Sequence, residues 1–314
     1  MAEIQRIVVV TKKTALEELI YRLNSRDQAR FYLEQNKISF SEYEQAHQQY
    51  QQAIASIKRQ LPATIKQQFI ERDFLPTYQF DEHDLVLTVG PDGLVINTAK
   101  YLTTQPILAV NPDPSRIDGV LIPFHYEQLR TELEHVLRGK KRLSHVSMVK
   151  AELNDGQVLY GINDLFIGPR SHTSARYQLQ LGRQIESQIS SGIIVSTGAG
   201  STGWLRSITH GACSIAQYFA DSNAVKPPEV EALALGWEAE NVWFTVREPF
   251  VSRLSQATIV FGQLTKGQEL IITSQMPENG VIFSDGIESD YLSFPSGFIA
   301  RVGLAERKAY LVVR

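Results

Sequence analysis

The segment Asp84–Gly93, DLVLTVGPDG, decides the fold class of this 314-residue chain. Its first part is short, apolar and β-branched, which predicts a buried strand over Asp84–Val89. This strand leads directly into the turn GPDG (Gly90–Gly93), and helical periodicity follows over Leu94–Leu102. A strand, a tight turn and a helix in this order form the repeating step of a parallel α/β sheet.

The same alternation continues on both sides of this segment. The runs Arg6–Thr11 (RIVVVT) and Pro106–Asn111 (PILAVN) predict two more buried strands, and Tyr126–Arg138 predicts a helix. The polar, Gln-rich stretch Ser39–Gln68 has apolar residues spaced for one long amphipathic helix. Ligands of such sheets bind beyond the carboxyl ends of the strands, where the GPDG turn and Asn111 both lie.

The pattern changes after about Lys141, where short segments with alternating polar and apolar residues replace the helices. Asn154-Asp155-Gly156 is a hairpin signal, and one helix is predicted over Ser201–Tyr218. We therefore predict an α/β domain over residues 1–141 and a β-rich domain over residues 142–314. The strands predicted in the second domain are Ser144–Leu153, Gln157–Ile162, Asp164–Ile167, Tyr177–Leu181, Gln184–Gln188, Ile193–Ser196, Asn241–Val246, Ala257–Phe261, Glu269–Ser274, Val281–Ser284, Gly297–Val302 and Lys308–Val313.

Composition narrows the class of protein. The 31 basic and 34 acidic residues give a net charge of −3, so neither a nucleic-acid footprint nor a polybasic membrane patch is expected. The one cysteine, Cys213, lies in an apolar helical stretch and is expected to be a buried hydrophobe. No apolar run approaches the roughly 20 residues that span a bilayer. A cytoplasmic protein is the expectation.

The first candidate for chemistry is Asp92 in the GPDG turn. A carboxylate placed there lies beside the exposed N–H groups of a helix start, where glycine allows close approach and the helix dipole favours a phosphate. Taken alone, the motif is also a good ordinary β-turn, because Pro-Asp-Gly is among the best turn sequences.

The second candidate is the run Ser191–Trp204, SGIIVSTGAGSTGW. A loop dense in Gly, Ser and Thr between a strand and a helix can hold phosphate or ribose, although a flexible turn is the simpler alternative. It is not a Walker A loop, because no lysine follows the glycines. Asn163-Asp164 and Ser284-Asp285-Gly286 are two further candidates, and each alone is as easily a turn.

In order along the chain, these four sites resemble the motifs of the NAD kinase family, which carries GGDG, an Asn-Glu or Asn-Asp pair, an STPTGSTAY-like segment and a late Asp-Gly. Here they read GPDG, ND (Asn163-Asp164), STGAGSTGW (Ser196–Trp204) and DG (Asp285-Gly286). The segments NPDPSRIDG (Asn111–Gly119) and NDLFIG (Asn163–Gly168), together with the long helical insertion before GPDG, look most like the divergent mitochondrial-type branch.

The resemblance implies that residues 1–141 form a Rossmann-like, nucleotide-binding domain and that residues 142–314 form a β-rich, NAD-binding domain. It also implies a homodimer or homotetramer. It implies that Asp92 is the general base that takes the proton from the 2′-hydroxyl of the adenosine ribose of NAD, which then attacks the γ-phosphate of ATP with Mg²⁺. The resemblance assigns no metal ligand among the side chains. The residues implied to contact the nucleotides are Gly90, Gly93, Asn111, Asn163, Asp164, Ser191, Ser201, Thr202, Trp204 and Asp285.

Several positions depart from the family pattern. Pro91 stands at the second glycine of GGDG and removes a backbone N–H that could meet a phosphate. Gly203-Trp204 stands in place of Ala-Tyr, and the indole can still stack on a base. Two alternatives stay open: a lipid or other small-molecule kinase of the same superfamily, and a non-catalytic protein that binds NAD or NADP.

Overall fold

The computed structural model describes residues 3–219 and 234–314, which divide into two compact units. The first unit contains residues up to Ser144 together with Tyr310–Arg314, and the second contains His145–Ala309. The chain thus enters the first unit again at its last residues, which the sequence pattern did not indicate. In the described residues, no helix is both long enough and apolar enough to cross a membrane.

The first unit is a parallel sheet with helices. Its strand order is β2-β1-β3-β4, and both β5 and the pair Tyr310-Leu311 lie on the other side of β4. The strands are β1 (Arg6–Thr11), β2 (Lys66–Glu71), β3 (Asp84–Val89), β4 (Pro106–Asn111) and β5 (Phe124–His125). The α-helices are α1 (Ala15–Leu23), α2 (Arg26–Gln35), α3 (Phe40–Gln60), α4 (Asp92–Ala99) and α5 (Leu129–Leu137).

The central strands β1, β3 and β4 have the bounds predicted from their apolar runs. A strand buried on both faces reads as a continuous hydrophobic run, and every residue of β3 and β4 is buried. The start of β3 is fixed by Asp84, which is 1% exposed and accepts two 2.7 Å hydrogen bonds from the guanidinium of Arg6 on β1. This pairing sets the register that brings the carboxyl ends of β1 and β3 together.

The prediction of one helix over Ser39–Gln68 is wrong at its end. Helix α3 stops at Gln60, and β2 begins at Lys66 as the edge strand that pairs with β1 in parallel. Pro62 stops the helix, because proline disfavours the helical conformation of the residue before it. The strand was missed because its first three residues, Lys66, Gln67 and Gln68, are polar and exposed, as an edge strand allows.

The described residues of the second unit form mainly antiparallel strands and one long helix. A six-stranded sheet has the order β13-β12-β11-β8-β15-β16, and a second group has the order β10-β9-β14-β17, with β6 pairing to β17 and β7. The elements are β6 (Leu143–Leu153), β7 (Val158–Gly161), β8 (Asp164–Pro169), β9 (Ala175–Leu181), β10 (Gln184–Ser190), β11 (Ile193–Ser196), α6 (Trp204–Phe219), β12 (Asn241–Val246), β13 (Phe261–Thr265), β14 (Glu269–Ser274), β15 (Gly280–Ser284), β16 (Ile287–Ser293) and β17 (Ile299–Val312).

One hydrophobic core fills the second unit between these two groups of strands. Leu165 and Ile167 of β8 contribute to it from the six-stranded sheet, and Leu270 and Ile272 of β14 contribute from the other group. The other face of the six-stranded sheet carries Phe166, which packs with residues of α6. Residues of β8 therefore alternate between the core and the helix-covered face, and all of them are buried because both faces are covered.

Three strand predictions in this unit differ from the structure. Strand β16 was not predicted, and the predicted strand Ala257–Phe261 lies before β13, which begins at Phe261. The separate strands predicted over Gly297–Val302 and Lys308–Val313 are one strand, β17. The sequence of β16, IESDYLS, carries charges that hide its alternation, as an edge position allows.

Candidate functional site

Asp92 is the first residue of α4, three positions after β3 ends. Its carboxylate accepts hydrogen bonds from two consecutive backbone N–H groups, Val120 to Oδ2 at 2.9 Å and Leu121 to Oδ1 at 3.0 Å. The helix dipole also favours a negative charge at this position. A carboxylate has about four acceptor sites, so Asp92 is fixed in orientation and can still accept a proton.

The two glycines that flank this turn differ in their surroundings. A Cβ built on Gly90 would lie 2.9 Å from Cδ2 of Leu94, so a larger residue there would displace the end of this side chain. Gly93 is exposed, and a Cβ there would meet no heavy atom within 4 Å. Space for a ligand therefore exists at Gly93, while Gly90 lies against Leu94 of α4.

Asn111 ends β4, and both functional groups of its amide hold the following loop. Its Nδ2 donates to the carbonyl of Ile117 at 2.9 Å, and its Oδ1 accepts from the N–H of Asp113 at 2.9 Å. The side chain thus orders the segment that leads towards Gly119 and the two N–H donors of Asp92. A direct contact of Asn111 with a nucleotide stays a prediction.

In the second unit, Asp285 joins two of the sequence motifs. It sits in the β15–β16 turn with φ 56°, and its carboxylate accepts from the N–H groups of Ile162 (3.1 Å), Asn163 (2.7 Å) and Asp164 (3.3 Å). The Asn-Asp pair and the late Asp-Gly, more than a hundred residues apart in sequence, therefore form one structure. Asp285 organises the start of β8 through these bonds.

Asp164 is 7% exposed and begins β8. Burial, and secondly the negative charge of Asp285, raise the pKa of this carboxyl to about 7. Shifted values of this kind occur at functional sites, although structural pairs of carboxylates also produce them.

The glycine-rich loop passes so close to neighbouring backbone that two of its glycines are required. A Cβ on Gly198 would lie 1.9 Å from the carbonyl oxygen of Gly236, and one on Gly200 would lie 2.0 Å from that of Asn163. Ser201 closes the loop, because its hydroxyl donates to the carbonyl of Gly198 at 2.7 Å. The loop and the Asn-Asp pair are thus in direct contact.

Trp204 is the first residue of α6, and its indole is half-buried. It stacks on Phe166 with ring centroids 5.9 Å apart, and the guanidinium of Arg247 lies 5.4 Å from its ring centroid. Thr202 is exposed beside it. Ser191 lies at the other end of β11, where its N–H donates to the carbonyl of Arg247 at 2.9 Å, so the structure does not place Ser191 with the glycine-rich loop.

The first unit also has a cavity of about 440 Å³ that the sequence did not reveal. It lies beside the GPDG turn. Its lining includes Lys12 directly after β1, His47 and Tyr50 of α3, Pro91 of the turn and Arg116 of the loop after β4. These residues are far apart in sequence, and the sole available signal was the pair of lysines directly after β1. In the described part of the chain, no three His, Cys, Asp or Glu side chains gather as a metal site.

No family model matches the chain. The NAD kinase of Psychrobacter arcticus is 30% identical over 129 residues, which is 38% of this chain and 39% of the relative. The NAD kinase of Acinetobacter baylyi is 28% identical over 193 residues, which is 56% of this chain and 61% of the relative. The matched region thus spans about two fifths to three fifths of these curated relatives.

Two solved structures share the fold over nearly the whole chain. Yeast NADH kinase complexed with NADH superposes with a TM-score of 0.59 at 15% identity, covering 100% of this chain and 84% of that one. An NAD kinase from Archaeoglobus fulgidus in complex with ATP gives 0.56 at 16% identity, covering 98% and 93%. The sequence matches confirm the resemblance to the NAD kinase family, and the structures confirm the predicted fold. The mitochondrial-type branch stays a prediction.

Proposed function

We propose that the chain is an NAD kinase, which transfers the γ-phosphate of ATP to the 2′-hydroxyl of the adenosine ribose of NAD and yields NADP. The observation that carries the proposal is the fixed carboxylate of Asp92 at the carboxyl end of a parallel strand. Ligands of parallel sheets bind at that edge. The sequence matches to curated NAD kinases support the same conclusion.

In the proposed reaction, Asp92 accepts the proton of the 2′-hydroxyl while that oxygen forms a bond to the γ-phosphorus. The bond between this phosphorus and the oxygen bridging to the β-phosphate breaks, and ADP leaves with the electron pair. A positioned base contributes about 10²–10⁴-fold to such a step. Alignment and charge stabilisation supply most of the remainder.

The remaining nucleotide contacts belong to the proposal as well. Residues 1–141 would bind the phosphoryl donor, with Gly93 open to a phosphate and Asn111 holding the loop that orients Asp92. Residues 142–314 would bind NAD through Asn163, Asp164 and the loop containing Ser201 and Thr202. Trp204 presents a half-buried indole on which adenine can stack. Asp285 would act through the backbone of Asn163 and Asp164.

The donor would enter with Mg²⁺ on its phosphates. Mg²⁺ prefers oxygen ligands and usually keeps several waters while it binds substrate phosphates, so the phosphate oxygens of the donor would hold it and Asp92 would stay available as the base. When bound, the ion neutralises phosphate charge. The side chains of the protein position the two nucleotides and move the proton.

An NADP-formation assay tests the proposal. Purified protein is incubated with ATP, Mg²⁺ and NAD or NADH, and the product is detected with an NADP-specific dehydrogenase. Asp92→Asn serves as the matched variant and is expected to lose at least about a hundredfold in turnover. No NADP formation with ATP or polyphosphate would reject the function, and unchanged turnover of the variant would reject Asp92 as the base.

Two outcomes would favour the alternatives. Phosphate transfer to a lipid but not to NAD would indicate a lipid kinase of the same superfamily. Tight binding of NAD or NADP without turnover would indicate a non-catalytic protein. The sequence feature that suggests this alternative is Pro91 in place of glycine.

We also propose a cytoplasmic homodimer or homotetramer. Exposed apolar side chains near the end of α6, Ile215 (65% exposed), Tyr218 (84%) and Phe219 (77%), support a subunit contact. Sedimentation of the purified chain tests the assembly, and a monomer at all concentrations would reject it. Fractionation of the source cells tests the compartment.

A further inference from the structure

Lys12 lies beside the GPDG turn, outside the four ordered motifs. It follows β1 directly, and Gly90 follows β3 directly. These strands are parallel neighbours, with Val10 opposite Thr88, and two further steps of the same register bring Lys12 opposite Gly90. A Cβ built on Gly90 would lie 3.7 Å from Cδ of Lys12, so the aliphatic part of the lysine passes close to the turn.

The backbone of Lys12 is held in this place by α3. The hydroxyl of Tyr50 accepts a hydrogen bond from the N–H of Lys12 at 3.1 Å and donates one to the carbonyl of Val89 at 3.0 Å. Burial raises the pKa of this hydroxyl to about 12, so it keeps its proton and can donate. One side chain thereby fixes the end of β1 to the end of β3.

Lys12 differs from its basic neighbours in its ion pairing. The ammonium of Lys13 is 3.0 Å from Asp73, and the guanidinium of Arg116 is 2.8 Å from Asp113. Across residues 3–219 and 234–314, no carboxylate comes within 4.0 Å of the ammonium of Lys12. It lines the 440 Å³ cavity together with Pro91 of the turn. A positive charge without a counterion beside a candidate phosphate site is suited to an anionic ligand.

Pro91 leaves the turn with one backbone hydrogen-bond donor fewer than a glycine at the same position would give. A glycine at this position would present a backbone N–H, and proline has none. We propose, on the basis of the proposed kinase function, that the ammonium of Lys12 contacts the transferring phosphoryl group and supplies the positive charge that the turn lacks. Lys12 forms and breaks no covalent bond in this role. It stabilises the charge that spreads over the phosphoryl oxygens during the transfer.

The first test is a comparison of three variants in the NADP-formation assay. Lys12→Ala is expected to lower kcat by about a hundredfold, the usual effect of removing one such donor, while the KM for NAD changes little. Lys12→Arg keeps the charge and is expected to recover at least about tenfold of that loss. Lys66→Ala removes an equal charge from the exposed edge strand β2 and is expected to retain full activity.

The second test does not depend on turnover. Inorganic tripolyphosphate is titrated into each protein in a calorimeter, without NAD. The wild type and Lys66→Ala are expected to bind it alike, and Lys12→Ala is expected to bind at least about tenfold more weakly. The thermal unfolding midpoint of Lys12→Ala should match the wild type, which excludes a loss through misfolding.

The two tests separate this inference from the proposed function. If the wild type makes no NADP but binds tripolyphosphate through Lys12, the kinase proposal fails and Lys12 remains an anion-binding residue without a catalytic role. If Lys12→Ala behaves as Lys66→Ala in turnover and in binding, the inference is overturned. Absence of tripolyphosphate binding by the wild type would overturn it equally. An effect on the KM for NAD alone would also contradict it.

Discussion

Asp164 carries the clearest pH dependence at the scale of single residues. Because its pKa is raised from 3.8 to about 7, the folded state binds this proton more tightly than the unfolded state. Its contribution to stability is therefore fully present below about pH 4 and is lost as the pH rises through about 7. Asp164→Asn stays neutral throughout. We expect the variant's thermal unfolding midpoint, relative to the wild type, to be higher at about pH 8 than at about pH 5.

The exposed Asp118 is the matched control for that comparison. Asp118→Asn removes a carboxylate from an exposed position and is measured at the same two pH values for comparison. If Asp164→Asn shows no dependence on pH, the buried carboxyl does not titrate as its surroundings indicate.

Gly200 gives a steric prediction at the same scale. Its Cβ would lie 2.0 Å from the carbonyl oxygen of Asn163, whereas a Cβ on Gly211, an exposed glycine of α6, would meet no heavy atom within 4 Å. Gly200→Ala should therefore cost about 1–3 kcal/mol of stability and separate the loop from the Asn-Asp pair. Urea denaturation and NAD titration measure the two effects, with Gly211→Ala as the control. Equal stability of the two variants would show that the loop yields without cost.

At the scale of elements, helix α3 holds the ends of two strands through Tyr50. Tyr50→Phe removes the hydroxyl that joins the N–H of Lys12 to the carbonyl of Val89. Leaving buried polar groups without this partner should cost about 1–3 kcal/mol and lower turnover, because Lys12 loses its fixed place. Tyr43→Phe is the control from the same helix, since its hydroxyl makes no hydrogen bond within the described residues. Thermal unfolding and turnover of both variants provide the measurement. Identical behaviour of the two variants would show that the Tyr50 hydroxyl does not hold the ends of β1 and β3 together.

The elements also show what the sequence can predict. Strands β1, β3 and β4 were predicted to the residue, because burial on both faces leaves an uninterrupted apolar run. Strand β2 was missed, because an edge strand accepts Lys66 and its polar neighbours. The hydroxyl of Tyr50 and the carboxylate of Asp285 act across distances of up to about 120 residues in sequence, and no local pattern encodes such contacts. Periodicity records burial, and it does not record which distant group a side chain meets.

At the scale of the whole molecule, the last residues complete the first unit. Tyr310 and Leu311 pair with β4, and the N–H of Val313 donates to the carbonyl of Arg142 at 3.0 Å. Deletion of residues 310–314 should expose β4 and destabilise the first unit. Hydrogen exchange of the β4 amides should then rise well above that of a variant lacking Arg314 alone. Unchanged protection would mean that β4 does not depend on this pairing.

This return of the chain has a consequence for synthesis on the ribosome. Domains usually form in the order in which they emerge. Here the nascent first unit lacks the strand that covers the Pro106-Ile107 end of β4 until the ribosome has translated the entire second unit. That part of β4 therefore stays unpaired while the 165 residues 145–309 are synthesised. A chaperone that binds this strand end would bind the nascent chain, and it would lose its binding site once Tyr310 and Leu311 pair with β4.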